Sequence, residues 1–145
     1  MRKEWLLVLL SMLFSGCCAQ PVDLGVKSGR LKDCPDSPNC VHSQVTQSDH
    51  AIAPLVYIDD RAQALTRLST LIEKTPRTHI VTQTDDYLWV EFKSRWWGFI
   101  DDVEFWFAAP TDTGEKQVHV RSASRLGHSD FGVNRKRIEA IRLAF

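Results

Sequence analysis

Alternation of apolar and polar side chains along three successive segments is the feature that most constrains how this chain folds. Every second position in these segments is apolar: Leu88, Val90 and Phe92; Val103, Phe105 and Phe107; Val118 and Val120. A period of two places successive side chains on opposite faces of a β-strand. The pattern therefore predicts neighbouring strands of a sheet that buries one face and leaves the other face polar.

The apolar positions of the last two segments also predict how those strands pair. Val120 pairs with Phe105 when the apolar sets match, whereas a slip by one residue would set valines against charged positions. The same register places Glu104 directly opposite Arg121 on the polar face. Tryptophans and further carboxylates share that face, which distinguishes it from an ordinary solvated sheet surface.

Two amphipathic segments and two further strand-like runs complete the predicted architecture. The stretch "DDRAQALTRLSTLIEKTP" has an apolar stripe at helical spacing and begins with Asp59 or Asp60 as its cap. The C-terminal segment repeats apolar residues at a helical period, with Asn134 as its cap. With strand-like runs at residues 53–58 and 79–83, the order is β-α-β-β-β-β-α. We therefore predict an α+β fold in which an antiparallel sheet of about five strands carries two helices on one face.

The first residues resemble a bacterial lipoprotein signal. Arg2 and Lys3 precede ten mostly apolar residues, 5–14, and small residues then lead to Cys17. The apolar run is too short to span a bilayer core, which needs about 20 residues. Cleavage in such signals falls just before a cysteine that is then acylated, so the resemblance implies a lipid on Cys17. The alternative is an ordinary cleaved signal with two incidental cysteines.

This interpretation divides the chain into a signal peptide over residues 1–16, a tether over 17–30 and a single domain over 31–145. A single domain agrees with a length of 145 residues, of which 43% are hydrophobic. In bacterial lipoproteins, the absence of Asp directly after the acylated cysteine goes with transfer to the outer membrane. The resemblance therefore implies an exported protein that is lipid-anchored in the bacterial envelope, at the outer membrane and facing the periplasm.

Two cysteines remain in the predicted domain. Cys34 and Cys40 lie six residues apart in the turn-forming stretch "CPDSPNC", and an exported pair of this kind most simply forms a disulfide. A zinc site is the alternative, with His42 and His50 as the nearest further ligands. No HExxH motif and no i, i+4 histidine pair occurs in the sequence, so we predict no metal and no cofactor.

Three stretches, taken together and in order, resemble the uncharacterised family catalogued as domain of unknown function 1499. They are "CPDSPNCVHS", "WGFIDDVEFWF" and "RSASRLGHSDFGVNRKRIEAIR". The resemblance covers residues 31–145, which is nearly all of the predicted mature protein. It implies no activity, substrate or catalytic residue, because none is established for that family. Function must therefore be argued from the residues themselves.

The basic stretch between the last strand and the last helix is a candidate anion site. Its members combine guanidinium groups, a hydroxyl and a helix start: Arg121, Ser124, Arg125, Asn134 and Arg135. Arginine forks suit phosphate or carboxylate, and the first turn of a helix offers free backbone N–H groups. The alternative is a scaffold of ion pairs, for which four acids are at hand: Asp101, Asp102, Glu104 and Asp130.

The carboxylates of the polar sheet face are a second candidate site. Asp102 and Glu104 lie about 6–7 Å apart along one strand face, a separation at which paired carboxylates can hydrolyse glycosides. Glu91 shares that face. Against this reaction, Arg121 opposite Glu104 would keep that acid ionised. A serine–histidine pair is less specific, because no nucleophile-elbow motif occurs in the sequence.

The number of tryptophans in so small a domain favours a third class of protein, a binding or assembly module. The alternative is that these side chains fill the core. They are Trp89, Trp96, Trp97 and Trp106. Equal numbers of basic and acidic residues, 18 of each, argue against nucleic acid. The leading hypothesis is a non-catalytic envelope module that contacts the membrane through its lipid anchor. It would bind a small anionic or lipid-derived ligand, or an envelope partner protein. The alternative is an envelope hydrolase that uses the carboxylate-rich face.

Overall fold

The structure, a computed structural model, describes residues 23–46 and 49–145. Its elements are strand β1 Cys40–His42, strand β2 Leu55–Tyr57, helix α1 Arg61–Glu73, strand β3 Thr78–Gln83, strand β4 Tyr87–Lys93, strand β5 Ile100–Phe107, strand β6 Lys116–Ser124 and helix α2 Val133–Ala144. From β2 onward this is the predicted order β-α-β-β-β-β-α, and β1 is an additional short strand before it. The predicted signal peptide, the lipidation site Cys17 and the first part of the tether lie outside the described residues.

The six strands form one antiparallel sheet with the order β1-β6-β5-β4-β3. The short strands β1 and β2 lie along the same edge of β6, where β1 pairs with its C-terminal half and β2 with its N-terminal half. The predicted register between β5 and β6 is confirmed, because Phe105 pairs with Val120 and Glu104 with Arg121. The α+β fold with an antiparallel sheet is therefore as predicted.

Both helices pack on the apolar face of the sheet, which we call the inner face. The helix stripes and the alternating strand residues form one buried core, whose fully buried members include Leu68, Ile72, Ile138, Leu88, Val90, Val103, Phe105, Val118 and Val120. Each buried aliphatic or aromatic side chain contributes about 1.5–3 kcal/mol through removal from water. The opposite face, which we call the outer face, carries the polar residues.

Helix α1 begins and ends at the signals that its sequence carries. The side chain of Asp60 accepts a hydrogen bond of 2.8 Å from the backbone N–H of Gln63, so Asp60 is the N-cap. The helix ends at Glu73, ahead of Pro76, which cannot continue it.

Helix α2 begins differently from its prediction. Gly132 is the N-cap, with a φ of 75° that favours glycine, and it has no side chain with which to cap. The carboxylate of Asp130 accepts the N–H groups of Gly132 at 2.9 Å and Asn134 at 2.7 Å instead. The prediction that Asn134 caps α2 is therefore wrong, because Asp130 accepts the free backbone donors. The Asn134 amide does not cap; it donates to Asp130, Ser124 and the carbonyl of Asn39.

The predicted disulfide between Cys34 and Cys40 is present, with a Cα–Cα distance of 5.7 Å. It closes the Pro-rich loop ahead of β1. Within residues 23–46 and 49–145, neither helix combines the length and hydropathy that crossing a membrane requires.

Candidate functional site

The structure divides the predicted site residues between the two faces of the sheet. Glu91, Asp102, Glu104 and Arg121 lie on the outer face, and Arg125 folds back onto that face after β6 ends. Ser124 and Asn134 contact each other on the inner side, and Arg135 lies on α2. Because Arg121 and Ser124 are three residues apart on one strand, their side chains point to opposite faces. The five members of the predicted anion site are therefore not brought together.

Arg125 is held by two carboxylates on the outer face. Its Nε donates to Oδ2 of Asp102 and its Nη2 to Oδ1, both at 2.8 Å, and Nη2 also donates to Glu91. The indole of Trp89 donates to Oδ1 of Asp102 at 2.8 Å. The hydrogen bonds to Asp102, joined by the one to Glu91, raise the pKa of Arg125 above its usual range against the opposing effect of burial. Asp102 is therefore a buried carboxylate with three short hydrogen bonds.

Glu104 is fully buried and accepts from three different parts of the chain. Its Oε1 accepts the backbone N–H of Gly25 at 2.7 Å and the hydroxyl of Tyr87 at 2.8 Å. Its Oε2 lies 3.5 Å from Nη1 of Arg121, a long contact for an ion pair. Burial, and then the negative charge of Glu104, raise the pKa of Tyr87 far above its usual value, so the phenol remains a donor.

Residues 23–33, which we call the N-terminal segment, lie across part of the outer face. Besides the Gly25 contact, the carbonyl of Leu31 lies 3.4 Å from Nε2 of His42, and the N–H of Gln44 donates to Nδ1 of His42 at 2.8 Å. Because Nδ1 accepts, the proton of neutral His42 is on Nε2. Burial first, and then the charge of Arg121, lower the pKa of His42. The second half of the predicted tether is thus packed against the sheet.

His119 is paired with a serine that the sequence did not single out. Ser43 Oγ accepts the N–H of Val120 at 2.9 Å and lies within hydrogen-bond distance of Nδ1 of His119, at 3.2 Å. The ring of His119 stacks against Trp106 with a centroid distance of 5.5 Å. Burial lowers the pKa of His119. Ser124 instead accepts from the Asn134 amide at 3.0 Å.

The inner-side residues of the predicted anion site join α2 to the sheet and to the loop before β2. Asn134 is buried, accepts from Arg137 Nη1 at 2.6 Å and donates to the carbonyl of Asn39 at 3.1 Å. Arg135 donates to the carbonyls of Ala51 at 2.8 Å and Asp49 at 3.1 Å. These hydrogen bonds connect elements of the fold. The ion-pair scaffold agrees with this geometry, because three of the arginines near the end of β6 are paired: Arg121 with Glu104, Arg125 with Asp102 and Arg137 with Asp101.

The described part of the chain contains no cluster of side chains that could bind a metal ion. No group of three or more His, Cys, Asp or Glu side chains there is arranged to hold a metal ion. The thiols of Cys34 and Cys40, which a zinc site would require, are joined in the disulfide.

Large apolar side chains are exposed where two connections meet at one end of the sheet. The β4–β5 connection and the start of the β6–α2 connection are adjacent, because the N–H of Arg125 donates to the carbonyl of Ile100 at 3.0 Å. We call this surface the aromatic end and define it by Trp96, Trp97, Phe99 and Leu126. Their exposed fractions are 80%, 80%, 50% and 63% in that order. The sequence singled out the two tryptophans but not Phe99 or Leu126.

The fold and its faces define a class: a small α+β domain whose sheet buries a core under two helices and carries buried ion pairs on its outer face. Among the described residues, only Arg121 Nε is a buried side-chain polar atom without a hydrogen-bond partner. The chain belongs to the family described as a protein of unknown function (DUF1499), whose model matches residues 30–145. The resemblance predicted from the three sequence stretches is therefore confirmed. Neither a curated protein nor a solved structure shows a significant match to the chain.

Proposed function

We propose that the protein is a non-catalytic binding module of the bacterial cell envelope, anchored by a lipid on Cys17 at the outer membrane and facing the periplasm. It binds a lipid-derived or small anionic ligand, or an envelope partner protein. The observation that carries the proposal is the internal use of the outer-face polar groups. Asp102 and Glu104, the carboxylates that a hydrolase would need, are both buried and each accept from three donors.

The non-catalytic hypothesis is favoured over the hydrolase alternative by the access that a general acid or base requires. Such a group must reach the substrate within hydrogen-bond distance, directly or through one water. Asp102 is enclosed by Arg125 and Trp89, and Glu104 lies beneath the N-terminal segment. Serving as an acid or base would require either carboxylate to break these hydrogen bonds first. The network is better explained as support for the fold.

A binding function is supported by the apolar surface that the folded domain exposes to solvent. Monomeric proteins scatter single exposed apolar residues, whereas adjacent large apolar side chains mark interaction sites. At the aromatic end, Trp96 and Trp97 project from one connection and Leu126 from the start of the next. Aromatic side chains bury a large area with few rotatable bonds, which suits them to recognition.

Two measurements on the protein expressed in a bacterial envelope test this proposal. Metabolic labelling with an alkyne fatty acid should label the full chain but not a Cys17→Ser variant, and the labelled protein should fractionate with the outer membrane. Panels of ester, glycoside and phosphate-ester substrates should show no turnover by the purified protein. Turnover that disappears in Asp102→Asn, or an unlabelled protein that is free of the membrane, would overturn the proposal.

A further inference from the structure

We propose that the aromatic end inserts into the interfacial layer of an anionic phospholipid bilayer, as a second membrane contact besides the lipid anchor. The inference rests on the proposed function, because it names the partner of a module that acts by binding. The binding partner of the aromatic end is the bilayer surface itself.

The β4–β5 connection presents its tryptophans on a closed turn. The N–H of Ser94 donates to the carbonyl of Phe99 at 2.8 Å, and the N–H of Phe99 returns a hydrogen bond of 2.9 Å to Ser94 Oγ. Gly98 has a φ of 66°, the left-handed conformation that the tight turn requires. Trp96 and Trp97 therefore stand at the tip of a hydrogen-bonded loop. Indoles are enriched at membrane–water interfaces because an apolar ring carries one polar N–H.

The charge around these rings complements an anionic surface. Residues 93–99 contain Lys93 and Arg95 and no acidic residue. Neither of these cations forms an ion pair with a residue that the structure describes. The guanidinium of Arg95 lies 4.8 Å from the centroid of the Trp96 ring, so charge and aromatic surface are presented together.

The acids at the adjoining strand ends are offset by arginines. Asp101 is paired with Arg137, and Glu91 and Asp102 share Arg125. With Lys93 and Arg95 added, four cations face three carboxylates around the β4–β5 connection. Although the chain as a whole is neutral, this surface therefore has a slight excess of positive charge, and each basic side chain near an anionic membrane surface adds attraction at low salt.

The predicted anchor can reach the same bilayer. Six peptide bonds lie between Cys17 and Asp23, and a chain of that length spans at most about 22 Å. The N-terminal segment contacts Glu104 through Gly25, and the four residues from there to Ile100 cover about 13 Å of β5. The anchor is thus attached within reach of the aromatic end, and one membrane can accept both.

Vesicle binding of a chain without its lipid tests the inference. The mature chain from residue 17, carrying Cys17→Ser and Cys18→Ser and exported through a conventional signal, is mixed with vesicles of phosphatidylethanolamine and phosphatidylglycerol, or of phosphatidylcholine alone. We expect binding to the anionic vesicles with a blue shift of tryptophan emission. Trp96→Ala with Trp97→Ala should weaken partitioning by about tenfold or more. Lys93→Ala with Arg95→Ala should weaken it on anionic vesicles only.

Matched controls come from apolar residues exposed elsewhere on the domain. Ile58 and Leu143 are 94% and 89% exposed, and both lie outside the two connections that form the aromatic end. Ile58→Ala with Leu143→Ala removes comparable apolar exposure and should leave partitioning unchanged. Circular dichroism of each variant separates loss of binding from loss of fold.

Three outcomes would overturn the inference: no vesicle binding by the parent chain, equal binding by the tryptophan variant, or concentration-dependent self-association that the tryptophan variant abolishes. The last result would assign the aromatic end to contact between copies of this chain. Each of these failures leaves the proposed function standing, since that is decided by labelling at Cys17 and by the absence of turnover. Conversely, turnover that depends on Asp102 would remove the proposed function without altering the vesicle result.

Discussion

Arg125 and Asp102 are joined by two hydrogen bonds of 2.8 Å, one from Nε and one from Nη2. The residues are separated by 23 positions, and their contact ties the chain leaving β6 to the outer face of β5. Glu91 on β4 accepts from the same guanidinium. One arginine side chain therefore connects three consecutive parts of the sheet beside the aromatic end.

Replacing Arg125 by Ala should destabilise the domain by about 3 kcal/mol, because it strips a buried carboxylate of its paired charge. Arg125→Lys should fall between this variant and the parent, since it keeps the charge and loses the fork. The free energy of unfolding in urea is the measurement. Arg95→Ala removes an exposed cation without an ion pair to the described residues and should change stability by less than about 0.5 kcal/mol. An Arg125→Ala variant as stable as Arg95→Ala would contradict the structural role.

Tyr87→Phe should cost about 2 kcal/mol, the usual contribution of a hydrogen bond to a charged group. The same change in a Glu104→Gln background should cost less, because the acceptor is then neutral. A double-mutant cycle on urea unfolding measures this coupling, which should be about 1 kcal/mol.

Tyr57 supplies the matched control for that cycle. It is buried and packs edge-on against Phe107, and its hydroxyl makes no hydrogen bond within the described part of the chain. Tyr57→Phe should therefore have little effect and show no coupling to Glu104→Gln. Zero coupling between Tyr87 and Glu104 would mean that their 2.8 Å contact contributes nothing to stability.

Removing the disulfide by Cys34→Ala with Cys40→Ala should lower the free energy of unfolding by about 2 kcal/mol, because the short loop regains its freedom in the unfolded chain. Thermal unfolding with and without reductant measures the effect. Reductant should lower the Tm of the parent chain and leave the double variant unchanged. Equal Tm values for all four samples would show that the crosslink does not stabilise the fold.

Stability should fall as the pH drops below about 6.5, the ordinary pKa of histidine. Burial and the charge of Arg121 lower the pKa of His42 in the folded state, while the Leu31 carbonyl and Asp33 partly oppose them and Arg30 adds to them. The unfolded chain therefore takes up the proton first, and stability is lost between the unfolded and the folded pKa. Urea unfolding at a series of pH values from 7.5 to 5 measures the slope of the free energy of unfolding against pH.

His42→Gln should reduce that slope, and the part due to His119, whose pKa is also lowered by burial, should remain. His128→Gln, at an exposed loop position, is the control and should keep the parent slope. A His42→Gln variant with the full slope would assign the pH dependence to other groups.

The sheet could be predicted closely because alternation carries its register. Val118 and Val120 are buried beside Phe107 and Phe105, and alternation excludes a slip by one residue because it would expose both valines. Placing Glu104 opposite Arg121 then follows from the same register. The helix cap at Asp60 could also be predicted, because a carboxylate just before an apolar helical stripe is a local sequence signal.

Only the tertiary structure decided what the polar side chains bind. Arg125 lies beyond the end of β6, so no strand register fixes its direction, and its choice of Asp102 and Glu91 depends on how the loop turns. Gly25 reaches Glu104 through a backbone N–H, which every residue except proline carries and which leaves no mark in the sequence. The exposure of Leu126 beside the β4–β5 connection likewise depends on where the β6–α2 connection meets Ile100. Periodicity reports contacts within regular elements, whereas these contacts arise where distant segments fold against each other.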